Sequence, residues 1–203
     1  MKDSPYKTLA DLKNQTIGYS DPGVDQASLD AMLQSAKLNL NDVSMMDVNY
    51  GLVQSLVTHR VAATIGMMRN YELLQLMLMG KPGRAFYPEE YGVPNYDELI
   101  FVTNKKNINN PDLRKFLVAE QQGLTYLISH PVESWLMLIK AHPEMDNKLN
   151  EYSWFETIHY FTNDPGYLNA EKCNQFMQFM VAKHLISKPI PLEDYAVNLL
   201  LSG

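Results

Sequence analysis

The chain has 203 residues, 46% apolar and 10% aromatic, with a net charge of −6. That composition suits one domain or two small lobes and excludes a disordered tail. It shows no long basic run, which argues against nucleic acid as the main partner, and its longest apolar stretch, "LLQLMLM", falls far short of the ~20 residues a membrane-spanning helix needs. The amino-terminal "MKDSPYKTLADLKNQ" is polar and lacks the apolar run of a signal peptide. The lone cysteine, Cys173, can form no disulfide within the chain and leaves the redox compartment open.

In chain order, residues 16 to 87 alternate between two periodicities. "TIGYS" predicts a strand, and "DQASLDAMLQSAKL" a helix with Leu29, Met32, Leu33 and Ala36 on one face. "DVSMMDV" predicts a second strand, "GLVQSLVTH" a short helix, and "VAATIGMM" a third strand. "NYELLQLMLMG" predicts a helix closed by Gly80, and "RAFYP" a fourth strand. A β-α-β-α-β-α-β order implies an α/β fold with a parallel sheet. The turn "GVPNYDEL" follows, and then "LIFVTN", which reads as a buried strand.

Beyond residue 105 the pattern is almost wholly helical. Asn110-Pro111-Asp112 predicts a helix start, and Pro131 opens the next helix through "VESWLMLIKA". "NKLNEYSWFETIHYFTN" and "NAEKCNQFMQFMVAKHLI" predict two more, and "PIPLEDYAVNLLL" closes the chain. Trp154, Phe155, Ile158, Phe161, Phe176, Phe179 and Met180 make faces that need a cover. Each such side chain, fully buried, contributes roughly 1.5–3 kcal/mol.

An ordered set of segments then resembles a known family. "SPYKTLADLKNQTIGYS", "LDAMLQSAKL", "RVAATIGMMRNYELLQL", "YGVPNYDELIFVTN" and the tail "FMVAKHLISKPIPLEDYAVNLLL" resemble, in the same order, the periplasmic substrate-binding proteins of the thiamine-precursor type, the NMT1/THI5-like group. The likeness covers nearly the whole chain, although no single motif is diagnostic. Two positions depart from the family pattern: His59 stands where a glycine is usual, and Ala62 where an aspartate is usual.

The resemblance implies a type II periplasmic-binding-protein fold. Residues 1–97 would form the complete α/β second lobe, and residues 98–203 a mostly helical return into the first lobe. Family members carry roughly a hundred further residues ahead of the segment where this chain starts, so the chain looks like a member lacking its amino-terminal third. A second copy, a separately encoded amino-terminal chain or a rearranged fold would then cover the apolar helix faces, and homo-oligomerisation is expected. The family is extracytoplasmic; the chain as written shows no export signal and would be cytoplasmic if complete.

The resemblance also implies a small ligand, a 4-aminopyrimidine precursor of thiamine, handed to an ABC transporter permease. Ligands of open α/β sheets bind beyond the carboxyl ends of the strands. Ser20-Asp21-Pro22-Gly23, Tyr50-Gly51 and Arg69-Asn70 follow strands and open helices, so their backbone N–H groups are expected to be free for the ligand. Ser20 presents a hydroxyl to that ligand or, with Asp21, caps the helix that follows. Asn70 faces the ligand or is a helix N-cap, and Glu72 is a ligand residue or a first-turn carboxylate suited to the helix dipole.

Tyr96 and Glu98 alternate with Asp97, so in an extended strand they would share one side. A carboxylate such as that of Glu98 can accept from the amidine-like edge of a protonated aminopyrimidine, and the ring of Tyr96 can stack on it. Equally, "NYDE" is a solvated turn, with Asp97 pointing the other way toward a backbone group or a lysine.

No catalytic residue, metal site or cofactor is expected. His130, His142 and His159 lack carboxylates or cysteines at ligand spacing, Cys173 sits on an apolar helix, and the sequence has no glycine-rich phosphate loop or nucleophile elbow. Two alternatives accompany the binding-protein reading. One is a fungal-type pyrimidine synthase; those relatives carry a cysteine-rich run where this chain has "VPNYDE". The other is a truncated, non-binding product.

Overall fold

Ile17 marks the centre of the first sheet. In the computed structural model, which describes residues 1–200, three parallel strands run β2 (Ser44–Asp47), β1 (Thr16–Tyr19), β3 (Ala63–Thr64) across the sheet. Ile17 pairs with Met45 on one side and Ala63 on the other and is 1% exposed. Its neighbour Gly18 lets the flanking side chains close in, because a Cβ there would meet Thr64 Cγ2 at 3.1 Å and Val48 Cγ1 at 3.2 Å. Three helices complete the β-α alternation: α1 (Val24–Ser35), α2 (Leu52–Val57) and α3 (Glu72–Leu78). The apolar periodicity of α1 buries Leu29, Met32 and Leu33. Val48, Leu52, Leu56, Val61 and Leu76 form one apolar cluster from the second and third β-α turns of the chain.

The chain divides into two units. The first comprises Met1–Asn95 with Gln178–Lys188, the second Tyr96–Met177 with the residues from Pro189 onward. Within the first unit the distant Lys183 Nζ reaches Asp30 Oδ2 on α1 at 2.6 Å and Gln34 Oε1 at 3.2 Å. That ion pair holds Gln178–Lys188 to the helix.

The second unit is helical: α4 (Pro111–Ser129), α5 (Pro131–Ala141), α6 (Lys148–Thr157), α7 (Ala170–Ala182, its last turns counted with the first unit) and α8 (Leu192–Tyr195). Its starts follow the expected signals. Asn110 Oδ1 accepts from the Asp112 N–H with Pro111 in the first turn, Pro131 opens α5, and Asn147 Oδ1 accepts from the Asn150 N–H. Trp135 is buried beside Trp154, whose Nε1 donates to the Pro131 carbonyl at 3.0 Å. Val132, Leu136 and Met137 remain more than half exposed. Among the described residues, no helix is long and apolar enough to cross a membrane.

Several elements differ from the sequence expectation. "RAFYP" is not a strand: the segment runs irregularly into a 3-10 turn at Pro88–Tyr91. Pro82 and Pro88 bracket it and cannot donate to a ladder. The third strand keeps only Ala63–Thr64 of "VAATIGMM", and α6 ends at Thr157 in a 3-10 turn, Ile158–Tyr160. "LIFVTN" is neither a strand nor buried, with Leu99 87% and Val102 85% exposed. A strand exists only by pairing, and among the described residues the second unit has no strand to offer it.

Candidate functional site

Because the three strands are parallel, their carboxyl ends share one edge of the first unit's sheet. The loops leaving that edge are 20–23, 48–51 and 65–71, between each strand and its helix. Asp25, in the first turn of α1, organises the first loop: its Oδ2 accepts the Ser20 N–H at 3.2 Å and the Asp21 N–H at 3.0 Å. The same carboxylate touches the third loop, for a Cβ on Gly66 would fall 2.7 Å from Asp25 Oδ2. Gly66 has φ +93°, a conformation that favours glycine, so the close approach and the backbone both require it. Ser20 ties the first loop to the second, its Oγ accepting the Tyr50 N–H at 3.1 Å.

This geometry corrects one expectation. The N–H groups of the first two loops are not free for a ligand; Asp25, Asp21, Asp47, Ser20 and backbone carbonyls take them. Short polar side chains in tight turns bond their own neighbouring backbone before any ligand arrives. Asp21 and Asp25 hold the turn before α1, whose N-cap position falls to Gly23. Similarly, Tyr71 rather than Asn70 occupies the N-cap position of α3. Glu72 Oε2 accepts the Met68 N–H at 2.8 Å, which anchors its carboxylate in the loop.

Tyr50 is the residue on this edge that the sequence motifs underrated. Asn49 and Tyr50 both take left-handed conformations, with φ +45° and +65°. Tyr50 is 84% exposed although its backbone is fixed by Ser20. Nearby in the chain, Arg69 pairs with Glu89 at 2.8 Å and lies over the Tyr87 ring at 4.1 Å. Of the five residues singled out from the sequence, Ser20, Asn70 and Glu72 stand on these loops or at the start of α3.

Tyr96 and Glu98 belong to the second unit. The segment carrying them is irregular, so strand alternation does not set their directions. The Tyr96 ring stacks on Phe176 with centroids 4.3 Å apart and stays 39% exposed, while Glu98 is exposed. Asp97 pairs with Lys172 at 2.8 Å, as the reading of a lysine partner anticipated.

A cavity of about 580 Å³ in the first unit lies elsewhere. Its lining includes Tyr6, Gln15, Thr16, Arg60 and Ala62, which places it at the amino ends of β1 and β3. The carboxyl edge carries the loop residues and is the better candidate. No group of three or more His, Cys, Asp or Glu among the described residues could hold a metal ion. Burial, with a smaller contribution from Asp97, pushes the Cys173 thiol above its ordinary range, the reverse of an activated nucleophile.

The fold resembles that of two solved sulfonate-binding proteins. The alkanesulfonate-binding protein SsuA from Xanthomonas axonopodis pv. citri, bound to MOPS, matches with a TM-score of 0.63 at 14% identity, over 94% of this chain and 65% of that one. The periplasmic aliphatic sulphonate binding protein SsuA from Escherichia coli matches at 0.58 and 16% identity, over 97% of this chain and 63% of that one. Identities this low speak for the fold alone. In sequence, the chain belongs to the NMT1/THI5 like family, whose profile matches residues 1–134. A Haemophilus influenzae protein named for thiamine biosynthesis is 42% identical over 200 residues, 98% of this chain and 64% of that protein. The formylaminopyrimidine-binding protein of Halalkalibacterium halodurans is 28% identical over 203 residues, 96% of this chain and 62% of that protein. The chain thus spans a little under two thirds of the length of these relatives. The family assignment agrees with the resemblance carried by "LDAMLQSAKL" and "YGVPNYDELIFVTN".

Proposed function

We propose that the chain is the ligand-binding part of an extracytoplasmic solute-binding protein for a 4-aminopyrimidine precursor of thiamine, feeding an ABC transporter. One observation carries the reading. Ser20 bonds the first carboxyl-edge loop to the second, Asp25 bonds the first and abuts Gly66 of the third, and that edge displays Tyr50, 84% exposed in a left-handed conformation. Strained backbone held by its surroundings is characteristic of ligand sites. An exposed tyrosine face suits a flat aromatic ring, and a carboxylate such as that of Glu72 suits an exocyclic amino group. The relative named as a formylaminopyrimidine-binding protein supports this ligand class. Ser20, Asn70 and Glu72 are the proposed polar contacts of this edge; on the second unit, Tyr96 and Glu98 are proposed as ligand-binding residues in their own right.

Titration calorimetry with formylaminopyrimidine and hydroxymethylaminopyrimidine tests the assignment. Saturable binding, weakened in Glu72→Gln and in Glu98→Gln, supports it; binding that neither variant changes refutes the residue assignment. We further propose that the apolar side chains left bare on the second unit, among them Leu99, Phe101, Val132 and Met137, are covered by self-association. Light scattering giving a compact monomer at high concentration would refute that second proposal.

A further inference from the structure

Residues 99–104, "LIFVTN", have the side chains of a strand and no strand to pair with. The run contains no proline or glycine and is rich in β-branched and aromatic residues. Leu99, Ile100, Phe101 and Val102 are all exposed. Among the described residues, no backbone N–H or carbonyl from Leu99 to Thr103 meets a partner within the chain. A row of unpaired backbone groups flanked by apolar side chains is a template for another strand.

The strip is anchored at several points. Phe101 meets the edge of Phe116 on α4, with ring centroids 5.1 Å apart. On its amino side Asp97 is bridged to Lys172 at 2.8 Å. On its carboxyl side the Asn104 side chain accepts the Lys106 N–H at 3.1 Å and opens a 3-10 turn, Lys105–Asn107.

The charges at its two ends are opposite. Asp97 and Glu98 precede the strip, and Lys105 and Lys106 follow it; all four are exposed. Of the four side chains, only that of Asp97 forms an ion pair among the described residues. A second copy laid parallel and in register would set like charges together. Laid antiparallel, it sets each acidic end against the basic end of its partner.

We infer that residues 99–104 are an interface strand for a second copy of this chain, and that two copies pair them antiparallel about a two-fold axis. The inference rests on, and deepens, the proposal that the bare apolar side chains of the second unit are covered by self-association. In a two-fold antiparallel pair one residue faces its own copy. Matching Asp97 with Lys105 puts Phe101 at that position; matching Glu98 with Lys106 puts Val102 there. A lone two-stranded ribbon is marginal in water, and Phe116, 45% exposed where it meets Phe101, contributes apolar cover in each copy.

Sedimentation velocity of the full chain and its variants tests this. The wild type is expected to be a dimer. Val102→Pro removes an N–H that nothing else in the chain uses, and the dissociation constant should rise at least about tenfold. Lys105→Glu with Lys106→Glu makes both ends acidic and should weaken the dimer likewise; it leaves the carboxylates of the segment in place and serves if Val102→Pro does not fold. In a Cys173→Ser background, mild oxidation should cross-link Phe101→Cys or Val102→Cys. Leu99→Cys should not cross-link, because its own copy would lie at least ~14 Å away, beyond disulfide reach. A wild-type monomer at high concentration overturns both the inference and the self-association it rests on. A dimer that folded Val102→Pro and the double lysine variant leave intact overturns the inference alone and places the contact on another face. Cross-linking at Leu99 as strong as at Phe101 and Val102 overturns the antiparallel arrangement.

Discussion

Replacing Tyr50 by glycine should make the protein more stable and worse at binding. Tyr50 has φ +65°, and a side chain in the left-handed region costs about 1–2 kcal/mol that glycine does not incur. Glycine's greater freedom in the unfolded chain offsets roughly 0.5–1 kcal/mol of that. The ring is 84% exposed, so its removal sacrifices little buried area. The Tyr50 N–H, which donates to Ser20 Oγ, is kept in the variant. The net expectation for Tyr50→Gly is a gain of about 0.5 kcal/mol. Affinity for an aminopyrimidine should fall about three- to tenfold, from the loss of roughly 0.5–1.5 kcal/mol of ring contact. Urea unfolding should be followed by far-ultraviolet circular dichroism, since Trp135 and Trp154 both lie in the second unit. Calorimetry then measures the affinity. A loss of more than about 1 kcal/mol, or an unchanged affinity, would refute the reasoning that strain is held here to display the ring.

The other expectations concern the frame around the site. His59 has φ +57°, so His59→Gly should gain about 0.5–1 kcal/mol in urea unfolding; a loss would mean that the imidazole makes a contact worth more than the strain. Lys183→Met should cost about 1–2 kcal/mol, less than a fully buried pair, because Lys183 and Asp30 keep 14% and 20% exposure. The double variant Asp30→Leu with Lys183→Met should recover most of that loss, and failure to recover would show that the pair itself is needed. The Asp11 carboxyl accepts N–H bonds from Thr8 and Lys7, each 2.8 Å, and they hold it below the usual carboxylate range. A depressed carboxylate stabilises the fold above its unfolded-state pKa, and that contribution disappears as pH falls through the folded value. Asp11→Asn should therefore be less stable than wild type at neutral pH, with the gap closing in acid; a gap independent of pH would contradict this.

What the sequence made legible was local chemistry. The Asn110-Pro111 start, Pro131 and the Leu29/Met32/Leu33 face follow from short-range rules, and each appears in the structure where expected. The parallel order of the first three strands followed from their alternation with helices. Features that depend on distant partners were not legible. "LIFVTN" has the composition of a strand but meets no neighbour to pair with among the described residues. The stack of Tyr96 on Phe176 and the pairing of Lys183 with Asp30 join positions far apart in the chain. The candidate edge was legible only as positions in the chain. Loop positions after strands located Ser20, Asn70 and Glu72, yet sequence rules treat an Asp in a first helical turn as a dipole partner. They gave no sign that Asp25 would span two N–H groups and press on Gly66. Tyr50 was missed as an individual residue because its φ is a property of the folded loop.

Native mass spectrometry of the full chain with an equimolar mixture of formylaminopyrimidine, hydroxymethylaminopyrimidine, thiamine and riboflavin tests the central claim most directly. The account predicts one bound aminopyrimidine per chain, with its signal lost or strongly reduced in Glu98→Gln. A chain that retains thiamine or riboflavin in preference, or that binds none of the four, would contradict it.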